Sequence, residues 1–62
     1  MKEVTKEEFD QVNTSYCQVE ESLRRTCWYD AEKDETRKMV WYENASRENP
    51  RYFANPHYFM KK

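Results

Sequence analysis

The sequence predicts an α+β fold: an N-terminal amphipathic helix over residues 5–25, an antiparallel β-hairpin over 26–43 with room for a third strand, and an aromatic C-terminal segment over 44–62. Three observations lead there. Apolar residues recur at helical spacing from Phe9 to Leu23, two β-branched and aromatic runs flank a polar loop, and an Asn-Pro-x-Tyr-Phe unit occurs twice near the end. At 62 residues the chain makes a single small domain, and a domain of this size hides only about 60% of the surface its unfolded form exposes.

The helix rests on Phe9, Val12, Tyr16, Val19 and Leu23, whose steps of three and four stack them on one face. Thr5 with Glu8 three residues on fits a capping box. Glu7, Glu8 and Asp10 lie early while Arg24 and Arg25 lie late, the order that the helix dipole favours. Glu20 with Arg24 and Glu21 with Arg25 stand at helical ion-pair spacing. Asn13-Thr14-Ser15 argues the other way, because these side chains compete for backbone hydrogen bonds. The competing reading is a shorter helix followed by a strand from Tyr16 to Glu20.

The hairpin rests on Thr26-Cys27-Trp28-Tyr29 and Lys38-Met39-Val40-Trp41-Tyr42, with Asp30 to Glu35 between them. A four-residue loop from Ala31 to Asp34 gives Asp34 the left-handed position that Asp tolerates. A second helix over 31–45 competes, but the unbroken run Met39-Val40-Trp41-Tyr42 does not suit one helix face. That hairpin register pairs Tyr29 with Thr36 and Arg25 with Val40. One face then holds Thr26, Trp28, Met39 and Trp41 between Arg24 and Arg37. The other holds Leu23, Cys27, Tyr29, Val40 and Tyr42. One short helix covers only one of them, so the second must meet the tail, another copy of the chain or a partner.

The tail units are Asn49-Pro50-Arg51-Tyr52-Phe53 and Asn55-Pro56-His57-Tyr58-Phe59. Asn before Pro signals a turn or helix start. The aromatic residues serve either as a lid on the open sheet face or as a docking segment.

Composition removes several function classes. The absence of glycine excludes Gly-rich phosphate loops, dinucleotide fingerprints and nucleophile elbows. Cys17, Cys27 and His57 do not make a zinc signature, so neither metal nor cofactor is expected. Met1 to Glu8 lacks the apolar stretch of a signal peptide, and no run approaches the ~20 residues that span a bilayer. A cytoplasmic protein with two free, inert cysteines is expected, in the host cytoplasm if it is phage-encoded. His57, the only histidine, has no catalytic partner near it in sequence, so no enzyme is expected.

What remains is recognition. Phe, Val and Leu together number only eight, whereas aromatic residues make up 16% of the chain. Trp, Tyr and Arg are enriched at binding hot spots. The expected partner-binding residues are Arg24, Trp28, Arg37, Trp41, Tyr42, Tyr52, Phe53, Tyr58 and Phe59. They suit a small non-enzymatic module that blocks a larger protein sterically or pairs with a second copy of itself. Size and simplicity ally it with the inhibitory accessory proteins of phages and mobile elements. The alternative is a nucleic-acid binder that stacks bases on the Trp28/Trp41 face between Arg24 and Arg37. A net charge of −1 disfavours it.

Overall fold

A computed structural model describes residues 1–11 and 16–61, with the Tyr52 side chain outside the description. Strand β1 (Lys2–Val4) leads into helix α1 (Lys6–Gln11). Then follow β2 (Cys17–Ser22), β3 (Arg25–Asp30) and β4 (Glu35–Tyr42), a 3₁₀ turn over Arg51–Phe53, and β5 (Pro56–Met60). The strands form one antiparallel sheet in the order β1-β5-β4-β3-β2.

This overturns the predicted N-terminal helix plus hairpin. The helix is real at its start, where the Glu8 amide donates to Thr5 Oγ1 at 3.1 Å, as the capping box required. It stops at Gln11. Val12 and Asn13-Thr14-Ser15 lie outside the described residues. Val19, assigned to the helix, lies instead in β2, so the shorter-helix alternative was the closer one. Pairing decides the outcome. As a helix, residues 17–22 would leave one side of β3 unpaired; as a strand they supply that ladder. The expected Glu21–Arg25 pair does form, at 3.2 Å, but across the tight β2–β3 turn. Glu20 turns to Arg51.

The β3–β4 hairpin follows its sequence signals. Asp34 has φ 53°. Asp30 Oδ1 accepts from the amides of Glu32 (3.0 Å) and Lys33 (3.3 Å), which fixes the loop. Tyr29 pairs with Thr36 as expected, yet Arg25 pairs with Trp41, not Val40. A bulge causes the change: Trp28 opposes Lys38 while Tyr29 opposes Thr36, which leaves Arg37 as the extra residue. Side chains alternate with a period of two, so one extra residue exchanges the faces of everything beyond it in β4. Trp28 and Trp41, expected together, lie on opposite faces.

The tail also departs from expectation. In the first unit Pro50 precedes the 3₁₀ turn, whereas in the second Asn55 takes φ 54° and Pro56 opens β5. That strand enters the sheet between β1 and β4, so the second unit is neither a lid nor a free docking segment, whereas the first stays outside the sheet.

Helix α1 covers one face. Phe9, Val40 and Met60 are buried there, with Val4, Trp28, Tyr42 and Tyr58 packed around them. The Phe9 ring meets Trp28 edge-on at 5.3 Å and Tyr58 at 5.1 Å. Lys38 is buried beside them. Its Nζ donates to the Phe9 carbonyl at 2.8 Å and sits 3.9 Å from the Phe9 ring centroid. It thus satisfies a carbonyl of the helix's last turn while its cation meets a π face. Burial pulls its ammonium below the usual range, and the Asp10 charge opposes that shift.

Candidate functional site

The register fixes the composition of the other face, because directly paired residues share a side. Glu3 pairs with Phe59, Phe59 with Met39, Met39 with Cys27, and Cys27 with Val19. A row therefore crosses all five strands, with four apolar or weakly polar side chains in succession. The neighbouring row is His57, Trp41 and Arg25. Among the described residues, no helix packs here. Val19 is 45% exposed, and Met39, Trp41, His57 and Phe59 are half-buried among one another. The result is an aromatic and thioether platform on a rigid sheet.

Its acidic end is tied together by His57. The ring Nδ1 lies 3.1 Å from Glu3 Oε2 and Nε2 lies 3.4 Å from Glu43 Oε2, while Trp41 sits 5.3 Å away at a 31° tilt. Asn55 Nδ2 donates to the same Glu43 oxygen. The Glu3 hydrogen bond and then the Glu43 hydrogen bond raise the imidazole above its ordinary value. His57 thereby joins β1, β5 and the segment leaving β4. A raised folded-state value means that the stabilisation is complete below the unfolded value, near 6.5, and is lost as pH rises through the folded one. Urea midpoints of the wild-type chain are accordingly expected to fall between pH 6 and 9 (roughly the window around a histidine's titration). Those of His57→Gln should change less. Parallel curves for the two proteins would contradict this role.

Cys27 lies within the platform yet is only 3% exposed. Burial, then the neighbouring Glu21 carboxylate, pushes its thiol up to about 11. Cys17 is exposed and sits one diagonal away, since it opposes Tyr29 while Cys27 opposes Val19. Diagonal neighbours stand about 7–8 Å apart, beyond ordinary disulfide reach. Ellman's reagent is expected to titrate one thiol in the folded chain and two in denaturant. Rapid modification of both in the folded state would contradict the burial.

The sequence-expected partner residues divide. Trp41 and Phe59 lie on the open face. Trp28, Tyr42 and Tyr58 pack on the helix side. Arg24 stands exposed at the β2–β3 turn, where its carbonyl accepts from the Tyr42 amide at 2.8 Å. Arg37 is the bulged residue and pairs with Glu35 at 2.6 Å. Phe53 is 71% exposed in the 3₁₀ turn, away from the sheet ladder. Met39, Cys27, Val19 and His57 join the platform, although sequence reasoning did not select them. The Trp28/Trp41 base-stacking surface between Arg24 and Arg37 does not form.

Arg51 has a different role that the sequence did not announce. Its Nε donates to Leu23 O (3.1 Å), Nη1 to Thr26 Oγ1 (2.9 Å), and Nη2 to Ser22 O (2.8 Å) and the Glu20 carboxylate. The guanidinium carbon stands 5.0 Å from the Tyr42 ring centroid. A groove of about 470 Å³ opens beside it, lined by Lys6, Tyr42, Arg51, Pro56 and Tyr58. Both rim cations are engaged, Arg51 as described and Lys6 with Asp10 at 2.8 Å. A second groove, about 410 Å³, lies by Tyr16, Cys17 and the hairpin loop, and is walled by Asp30, Glu32 and Lys33.

Among the described residues, no cluster of His, Cys, Asp and Glu could hold a metal ion, and no helix is long and apolar enough to cross a membrane. Neither a family model, nor a curated protein, nor a solved structure matches this chain.

Proposed function

We propose that the chain is a non-enzymatic protein-recognition module and that the sheet face opposite α1 is its docking surface. The observation that carries this reading is the row of Phe59, Met39, Cys27 and Val19 beside Trp41, in which Val19 is exposed, Phe59, Met39 and Trp41 are half-buried and Cys27 is buried. It is a continuous platform where the other face of the same sheet has a helix. The mechanism is steric: a flat, rigid, half-apolar face lies against a complementary protein surface and covers it. Trp41 is the expected anchor, because a large ring at the middle of a patch loses the most water on docking. Its stack on His57 holds the indole in one orientation, which lowers the entropy lost on binding.

A photo-crosslinking residue at Met39 tests the reading, with one at Asp10 on the helix side as control. The expected product is a discrete protein adduct from Met39 alone, which purified components then reproduce and Trp41→Ala weakens by at least tenfold. Adducts from Asp10 alone, or a partner whose affinity is indifferent to Trp41, would remove the open face from the account.

A further inference from the structure

We infer that the groove on the helix side, between the start of α1, the end of β4 and the start of β5, binds a small aromatic anion: a planar ring that carries a carboxylate. The groove exists because the helix is short. Six residues rise about 9 Å, whereas the eight of β4 run about 26 Å. Helix α1 therefore roofs only part of this face, where Phe9, Val40 and Met60 are buried, and Tyr42, Pro56 and Tyr58 stay half-buried. Tyr42 pairs with Pro56 across the ladder and Tyr58 follows Pro56 by two residues, so all three side chains share the face. With Lys6 and Arg51 they line a cavity of about 470 Å³, within the roughly 300–1,000 Å³ typical of small-molecule sites.

The lining selects the occupant. Two phenol rings and a pyrrolidine offer flat apolar surface to a ring. Both charged side chains among the described lining residues are cations, and none is acidic. A cationic ligand would meet two like charges, and a neutral one would leave them unused. Of the five N–H groups of a guanidinium, four of Arg51's go to Leu23 O, Thr26 Oγ1, Ser22 O and the Glu20 carboxylate. The fifth, on Nη1, has no acceptor among the described residues. Lys6 pairs with Asp10 at 2.8 Å, but both side chains are more than half exposed. Such pairs contribute little, so the ammonium turns to an incoming carboxylate at small cost. A planar ring on the tyrosines with its carboxylate toward Lys6 and Arg51 uses the whole lining.

Titration of the isotope-labelled full chain with 2-naphthoate, followed by NMR, tests this. The expected result is saturable shifts at Tyr42, Tyr58 and Lys6 at or below low-millimolar ligand, with Trp41 unmoved. 2-Naphthamide, a similar ring without the charge, should bind at least fivefold more weakly. Lys6→Glu should weaken naphthoate binding at least tenfold while its circular dichroism spectrum stays that of wild type, and Lys6→Gln, with a smaller expected loss, replaces it should the first variant unfold. No saturable shift at the two tyrosines, equal affinities for the acid and the amide, or a folded Lys6 variant that binds like wild type would each overturn the inference. None of these results bears on the open face, because Met39 and Trp41 stand on the other side of the sheet.

Discussion

Arg51→Ala is expected to destabilise the chain by about 2–3 kcal/mol, the scale of losing charge-assisted hydrogen bonds to partners that are then left in place. The residue is 25 or more positions away in sequence from most of its acceptors, and it clamps the segment before β5 to the β2–β3 turn. Removing it takes a charged donor from the hydroxyl of Thr26, which is 2% exposed, and hands the carbonyls of Ser22 and Leu23, on the exposed turn, to water. The Glu20 carboxylate contributes least, because it is 62% exposed and its attraction is screened. Lysine should restore only a minor part. One ammonium cannot reach acceptors arranged around a planar fork while also keeping its charge over the Tyr42 ring. Urea unfolding of wild type, Arg51→Ala and Arg51→Lys would check this. Equal midpoints for wild type and the lysine variant would show that charge alone suffices.

Phe9→Ala carries the other large effect, about 3–4 kcal/mol from lost burial and the cavity left behind. A chain of 62 residues has only about 3–9 kcal/mol to lose at ordinary stability per residue. Phe9 is the buried side chain through which α1 reaches the sheet, in contact with Trp28, Tyr58 and the Lys38 ammonium. Without the ring, α1 keeps its cap at Thr5, but a six-residue helix does not persist without packing. Lys38 would then be buried over an empty site. Phe9→Ala is therefore expected to be substantially unfolded at 37 °C by near-ultraviolet circular dichroism, whereas Phe9→Leu stays folded. A fully folded alanine variant would mean that the sheet stands without its helix.

These two residues also mark the boundary between what the sequence makes legible and what it hides. The start of α1 was readable because the Thr5 cap is local chemistry, and Phe9 was readable as part of its apolar face. The β3–β4 loop was readable for the same reason: Asp34 and the aromatic runs act on their own neighbourhood. The end of α1 was not. Val19 satisfies helical spacing and a strand equally well over so short a span, and pairing with β3 decided between them, while Leu23 falls in the turn between β2 and β3. The bulge at Arg37 left no trace in Thr36-Arg37-Lys38, yet it set which tryptophan is packed under α1 and which faces outward. Arg51 was invisible because its acceptors lie 25 to 31 positions away in sequence and half of them are backbone carbonyls, which any sequence possesses. Of the candidate site, Trp41 and Phe59 were found from residue type alone. Met39, Cys27, Val19 and His57 needed the register.

The bulge provides its own test of the recognition face, since it leaves one tryptophan on each side of the sheet. The indole N–H resonances of Trp28 and Trp41 can be followed by ¹⁵N-edited NMR as the chain is concentrated or titrated with a partner that crosslinking has identified. The account predicts that the Trp41 resonance shifts and saturates while that of Trp28, packed against Phe9 at 5.3 Å, stays in place. A saturating shift of Trp28 with Trp41 unmoved would put the binding surface on the helix side and contradict the assignment of the open face.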